Sequence, residues 1–420
     1  MSSHNVVLVT GATGFLGKVV VEELLRLRTS NDIQQVILLI RKKSPLDAKA
    51  RFTQQIAVSP CFKFLPHSWV DYIQVVEGDL SGFQCGLEED EYNEVCKTVT
   101  HIIHTAACIK FDSSVSDAIS SNVDSARNVL SLAKDCNSLR RLVITSTAYV
   151  TPPQEAPIYE SLVELPRPAS RLINELKAGA IGKQQAIAAT GHPNIYSLSK
   201  CLAEHLICET KGSLPVTIVR PSIICAALQH PIAGWIDSKA AFGGLVLGFA
   251  SGVLRVIDGR PDARLDIVPV DVVAGHLIRE AFRESCEDIE RPNTRIVFSV
   301  STKERSLSLG EACKLLEGFF KQSFRYIGPQ GHALQLHQFL HHYLPLYIYA
   351  MASRLKGNIK SEKAAKRSWR IVSGMNVVFS PYTNYTYDFR PLEPPASFDR
   401  DEYIRTVCSG VQSNLMRSRL

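Results

Sequence analysis

No Cys-x-x-Cys pair occurs in this chain, although it carries 11 cysteines. Their scattered spacing argues against a disulfide framework or a zinc ribbon and predicts free thiols in a reducing compartment. The first residues start a strand almost at once, so no signal peptide is expected. No run reaches the roughly 20 apolar residues that a membrane span needs. The best stretches, 240–254 (AAFGGLVLGFASGVL) and 339–352 (FLHHYLPLYIYAMA), are too short, and the second contains Pro345 and two histidines. Charge of one sign is not in excess: 47 Lys and Arg against 41 Asp and Glu leave +6 over 420 residues. That argues against nucleic acid as a partner and suits an anionic cofactor or substrate. His332, His337, His341 and His342 lack the glutamate of His-Glu-x-x-His and any adjoining cysteine or carboxylate cluster, so they are read as surface or core histidines and no metal is expected. Internal repeats and low-complexity tracts are missing too.

What is present in the first half is an alternation. Short apolar runs at 6–9, 36–40, 73–77, 101–104, 142–145 and 216–219 are separated by helical patterns such as 18–27 and 122–134. This predicts parallel βαβ units with both sheet faces covered, an α/β class with a Rossmann-like doubly wound parallel sheet. Beyond residue 300 the pattern changes. Residues 307–320 place Leu307, Leu309, Ala312, Leu315, Leu316 and Phe319 on one helical face. Residues 354–370 carry seven basic side chains and one acid, Glu362, and 381–398 are rich in Tyr, Phe and Pro. A large domain at 1–300 and a smaller, mainly helical domain at 301–420 are expected.

The segment Thr10 to Gly17 reads TGATGFLG, between the first apolar run and the first helical pattern. A strand, a glycine-rich turn and a helix start bind a diphosphate: glycines let the backbone approach, and the helix end offers N–H groups and partial positive charge. The spacing is Gly11-x-x-Gly14-x-x-Gly17, which departs from the G-x-G-x-x-G dinucleotide fingerprint. Thr10, Gly11, Thr13, Gly14, Phe15, Leu16 and Gly17 are therefore cofactor candidates. Arg41 closes the second strand, where a cation accepts a ribose 2′-phosphate. Lys42 and Lys43 follow, no acid appears until Asp47, and Arg51 lies one helical step further on. This favours NADPH over NADH. Asp79 and Leu80 follow the third strand, where a carboxylate can meet the adenine amino group, and Ala106 follows the fourth. His104 is read as structural.

Tyr196 and Lys200 form a Y-x-x-x-K on a predicted helix, and positions i and i+4 share a face. An ammonium beside a phenol favours its ionised form and lowers its pKa. Such a tyrosine exchanges a proton at a carbonyl oxygen while a nicotinamide exchanges hydride. Thr147, with Ser146 as alternate, follows the fifth strand and can hydrogen-bond the substrate oxygen; one of the two can instead cap the next segment.

These residues together resemble the extended short-chain dehydrogenase/reductases. Within that group, LLIRKKSPLDAKARF, GDL, HTAA and STAYV look like the thioester-reducing branch. The ordered set Arg220-Pro221-Ser222-Ile223-Ile224, Gly234-Trp235-Ile236-Asp237, and Asp266-Ile267-Val268-Pro269-Val270-Asp271 is very similar to fatty acyl-CoA reductases. The resemblance implies NADPH-dependent reduction of a fatty acyl-CoA, or acyl-carrier, thioester to an aldehyde or primary alcohol. It implies Tyr196 as proton donor, Lys200 as its tuner and ribose holder, and Thr147 as the group that positions the oxygen. Pro221, Ser222 and Ile223 would lie beside the nicotinamide and Trp235 in the substrate loop. Ser238 departs from the family's usual asparagine after Trp-Ile-Asp. The membrane-spanning tail of many animal members is missing, so residues 339–352 are a candidate acyl lid or peripheral membrane contact, with a buried helix as the alternative. The final Ser418-Arg419-Leu420 matches the S-K-L address conservatively, which predicts a peroxisomal import receptor as partner and a peroxisomal location, the alternative being cytoplasmic or on a membrane surface. Two other readings of the same scaffold are a sterol or sugar-nucleotide dehydrogenase and a non-catalytic NADPH-binding protein.

Overall fold

The computed structural model describes residues 4–283, 294–355, 363 and 374–416. Seven strands form one parallel sheet: β1 (Asn5–Thr10), β2 (Ile33–Ile40), β3 (Ile73–Glu77), β4 (His101–His104), β5 (Arg141–Thr145), β6 (Val216–Pro221) and β7 (Arg295–Ser299). Their order is β7-β6-β5-β4-β1-β2-β3. The direction of winding reverses between β1 and β4, and in such sheets the ligand crevice opens at that point. The first six strands coincide with the predicted apolar runs. The seventh was not predicted, because the long crossover from Pro221 to Arg295 hides the alternation that would announce it.

Helices cover both faces, as near-continuous apolar strands require. One face packs on α1 (Phe15–Arg26), the other on α2 (Ser125–Asp135) and α3 (Ile195–Thr210), and α4 (Val270–Ala281) joins α1. The α1 contact buries Val19, Val20, Val21 and Leu24 without exposure. It also buries Glu22 and half-buries Glu23. Burial pushes the carboxyls of Glu22 and Glu23 up to about 7, against the opposing charge of Arg26. Between about 4.5 and about 7 the folded chain holds protons that the unfolded chain has released, so stability falls as pH rises through that window and levels above it. Glu22→Gln is expected to raise the melting temperature at pH 8 and to leave it unchanged near pH 4; equal effects at both values would reject this account.

Elements after residue 300 do not stand apart from those before it. Tyr326–Gly328 pairs with Val256–Asp258, Leu307–Ser308 with Arg264–Leu265, and Phe389–Arg390 with Ile158–Tyr159. One apolar cluster joins Ile236, Phe249 and Leu265 to Leu309, Leu316, Tyr403 and Val407. The helix Leu309–Phe320 begins with a reciprocal cap: Ser308 Oγ accepts from Glu311 N at 3.2 Å, and Glu311 Oε2 accepts from Ser308 N at 2.8 Å.

Residues 339–352 fall in the helical run Phe339–Tyr343 and Leu344–Leu355. Phe339, Leu340, Tyr343, Tyr347, Ile348 and Met351 are exposed there, so the helix is not buried in the small domain. No helix among the described residues is long and apolar enough to cross a membrane. The basic run 354–370 lies almost entirely outside the described residues, as does Ser418-Arg419-Leu420. The described cysteines are free, and most are buried.

Candidate functional site

At the end of β1 the backbone itself demands glycine. Gly11 adopts φ +78°, and a Cβ there would meet Ala106 N at 2.6 Å; a Cβ at Gly17 would meet Gly11 O at 2.2 Å. Gly14 is different: it is exposed, would meet only Gly11 O at 3.2 Å, and N-caps α1 with no side chain of its own. The open side of the turn therefore leads to the N–H groups of Phe15, Leu16 and Gly17, a cradle suited to an anion. β1 is tied to β4 by Thr105 Oγ1, which donates to Thr10 O at 2.7 Å, and by Thr10 Oγ1 with His104 Nδ1 at 2.8 Å. Burial, then the charge of Lys200, pushes His104 down to about 3, so it is a neutral structural residue.

Beside this turn two guanidiniums converge. Arg51 Nη2 donates to Thr13 Oγ1 at 3.2 Å and to Gln55 Oε1 at 3.1 Å, while Nη1 donates to Arg41 O. Its Nε is buried without a partner. Burial and then the charge of Arg41 lower the Arg51 pKa, and an anion placed there would relieve both. The residues present thus fit a phosphate-bearing ribose. Asp79 Oδ1 accepts from Ser81 N at 3.0 Å and from Ser81 Oγ at 2.7 Å, and its Oδ2 lies 3.8 Å from Arg41. Leu80 contributes its carbonyl to Asn128.

The proton-handling group stands on α3. Asn194 caps the helix, its Oδ1 accepting from Ser197 N at 2.9 Å, which sets Tyr196 and Lys200 one turn apart on a common face. Lys200 is buried and donates to Thr145 O at 2.7 Å. Burial pushes its pKa down to about 8 against the pull of Glu204. Tyr196 departs from expectation. Burial, then the neighbouring Tyr382, raises its pKa, and the hydrogen bond from Thr147 lowers it only in part. Lys200 gives one of its three N–H donors to the Thr145 carbonyl, and burial holds Tyr196 as the phenol, the form that donates a proton. Thr147 Oγ1 caps the next turn, accepting from Tyr149 N at 3.3 Å, and its side chain hydrogen-bonds Tyr196. Ser146 keeps a buried Oγ without a partner.

Beneath α3, Arg220 grips Glu204 through two contacts, Nε at 3.0 Å and Nη2 at 2.6 Å, with both side chains sealed from water. Next to Arg220 in the chain, Pro221, Ser222 and Ile223 leave the carboxyl end of β6; Ser222 N donates to Ser299 O at 3.1 Å.

Trp235 corrects another expectation. It is 2% exposed and stacks on Phe15 with ring centres 5.4 Å apart, so it presents no surface to a substrate. It locks the glycine turn to the loop that follows, and Lys18 Nζ adds an ion pair to Asp237 at 2.5 Å. Asp271 holds the preceding stretch, accepting from Leu228 N, Gln229 N and His230 N at 2.8–3.0 Å. Ser238 Oγ accepts from Ala240 N at 3.2 Å. The histidines serve packing: His337 stacks on Tyr326, and His342 Nε2 accepts from Arg255 N at 2.9 Å. Among the described residues no group of three His, Cys, Asp or Glu could hold a metal.

Sequence reasoning missed Phe111, Asn194, Glu204 and Tyr382. Asn194 and Glu204 carried signals, an asparagine two residues before Tyr196 and an acid one turn beyond Lys200. Phe111 and Tyr382 carried none.

Residues 9–277 match the family described as "Male sterility protein". The chain is 33% identical over 293 residues to "Fatty acyl-CoA reductase wat" of Drosophila melanogaster, covering 68% of this chain and 56% of that one. It is 30% identical over 377 residues to "Fatty acyl-CoA reductase 1" of Rattus norvegicus, covering 84% and 70%. Among solved structures it is similar to the terminal R domain from the myxalamid PKS-NRPS biosynthetic pathway, with TM-score 0.67 and 20% identity over 100% of this chain and 93% of that one. That likeness shows the shared fold, and the sequence relatives carry the assignment. With its glycine turn, its Tyr196–Lys200 helix and its Asp271-clamped loop, the chain belongs to the fatty acyl-CoA reductases, oxidoreductases that reduce fatty acyl thioesters.

Proposed function

We propose that this chain uses NADPH to reduce a fatty acyl-CoA to the aldehyde and on to the primary alcohol, releasing CoA. The observation that carries the reading is the Tyr196–Thr147 hydrogen bond at the carboxyl end of β5, with Lys200 one turn on along α3 and bonded to Thr145 O. The reduced nicotinamide, when bound, supplies the hydride. The turn from Gly11 to Gly17 would hold the diphosphate, Arg41 and Arg51 the 2′-phosphate, and Lys200 the ribose. Negative charge developing on the acyl oxygen is met by the Tyr196 phenol, which gives up its proton, and by the Thr147 hydroxyl. Purified protein given NADPH and a long-chain acyl-CoA should consume NADPH and release free thiol. No thiol release at any chain length would sink the reading.

The cofactor preference has its own test. Replacing both Arg41 and Arg51 by Ala removes two charge-assisted partners of a 2′-phosphate, so selectivity for NADPH over NADH should fall about ten- to a hundredfold. An unchanged ratio would place the 2′-phosphate elsewhere.

We infer in addition that the exposed stripe Phe339, Leu340, Tyr343, Tyr347, Ile348 and Met351 rests on a lipid surface, with aromatic rings at headgroup depth. Asp and Glu are absent from 332–355, which suits anionic lipid. Sedimentation with anionic vesicles should be lost in Tyr347→Glu/Ile348→Glu; retention would reject the contact. The Ser418-Arg419-Leu420 address supports peroxisomal delivery, and a fluorescent fusion carrying it that stayed diffuse in cells would reject that.

A further inference from the structure

Tyr382 reaches the catalytic tyrosine from the far end of the chain. It lies in the helical turn run 374–383 and is 7% exposed. Its ring meets Tyr149 edge-on at 4.7 Å and tilts over Phe111 at 5.8 Å, and the Phe111 ring in turn lies 5.6 Å from that of Tyr196. Its oxygen accepts a hydrogen bond from Asn194 Nδ2 at 3.2 Å. The same Asn194 side chain caps α3 through its Oδ1. One amide therefore fixes both the helix that carries Tyr196 and the position of a second phenol.

A hydroxyl oxygen that accepts from an amide keeps its own proton to donate. Tyr382 sits close enough to Tyr196 for the charge of one to disfavour ionisation of the other, so at neutral pH both remain O–H donors. Of the other phenols in this cluster, Tyr387 already donates its proton, to Pro381 O at 3.3 Å. Tyr382 has the geometry of a donor set aside for a guest.

The geometry points to Tyr382 as a third hydroxyl for the acyl oxygen, supplementing Tyr196 and Thr147 and supplied by the C-terminal segment. The inference rests on the reductase reading above. Tyr382 transfers no proton and forms no bond; it donates a hydrogen bond to the oxygen as negative charge gathers there. Such a donor acts on the transition state more than on bound substrate, so its loss should appear in kcat and leave KM nearly unchanged.

The test uses the full chain with palmitoyl-CoA and NADPH. Wild-type thiol release in the parallel assay establishes the reductase reading on its own. Tyr382→Phe keeps the ring and removes only the hydroxyl; kcat should fall about a hundredfold, with KM and NADPH affinity as in the wild type, and with a modest fall in melting temperature because the Asn194 amide loses its acceptor. Tyr387→Phe, which removes a phenol already committed to Pro381, should leave kcat intact. Wild-type kcat in Tyr382→Phe would overturn the assignment. So would a loss that came with weaker NADPH binding or a raised KM, since that is the mark of packing alone.

Discussion

Tyr196→Phe is expected to lower kcat by about 10²- to 10⁴-fold while melting temperature and NADPH affinity stay at their wild-type values. The substitution removes one oxygen from a half-buried ring whose packing against Phe111 is retained. What disappears is the proton that the acyl oxygen takes as hydride arrives. Thr147 still offers a hydrogen bond, but its hydroxyl is a far weaker acid and is partly committed to capping the turn at Tyr149. Residual turnover then reports hydride delivery with stabilisation by hydrogen bonding alone. Stopped-flow NADPH oxidation separates this from slow product release. A kcat close to wild type would show that the proton comes from another group, and the role assigned to α3 would fall.

Glu204→Leu is expected to destabilise the fold by about 3–5 kcal/mol. Arg220 is fully buried and Glu204 is 2% exposed, and their two contacts of 3.0 and 2.6 Å satisfy one another in the absence of water. Removing the acid leaves a guanidinium with neither partner nor solvent. The cost comes mainly from that orphaned charge, because pairing energy and desolvation nearly cancel in an intact buried pair. The double variant Glu204→Leu/Arg220→Met should consequently recover most of the loss. Urea unfolding at constant slope gives the numbers. If Glu204→Leu shifts the midpoint little, water reaches Arg220 and the burial argument is wrong. Glu204 also holds up the Lys200 pKa, so the basic limb of the pH–rate profile in this variant should move to lower pH.

The parts of the molecule legible in the sequence were those in which one local stretch determines geometry. Gly17 is forced by a clash of 2.2 Å with Gly11 O inside the turn itself, and Gly11 by its φ of +78°, so the turn could be read directly. Tyr196 and Lys200 follow from helical spacing. Arg51 could be placed near Arg41 because a short helix follows β2; its reach to Thr13 could not. What the sequence hid is non-local. Tyr382 is 186 positions from Tyr196, and nothing in either neighbourhood announces the other. Trp235 was misjudged for a related reason: a residue that marks a family by its place in a motif can serve packing, and only the Phe15 stack reveals which. The ionisation of Tyr196 was misjudged because spacing places Lys200 on the right face without showing how far burial raises the phenol.

The pairing of Phe389–Arg390 with Ile158–Tyr159 and the arrival of Tyr382 beside Tyr196 have a consequence for synthesis. Every strand of the large sheet, and the turn that meets the nucleotide, are complete by residue 299. The aromatic wall over Tyr196 waits for the last fifth of the chain. A nascent chain still on the ribosome can therefore hold its sheet and glycine turn in nearly final form while the face above Tyr196 is open, with Tyr149 and Phe298 uncovered. Contacts of such sequence separation form late, so the wall over Tyr196 closes after the sheet that carries it.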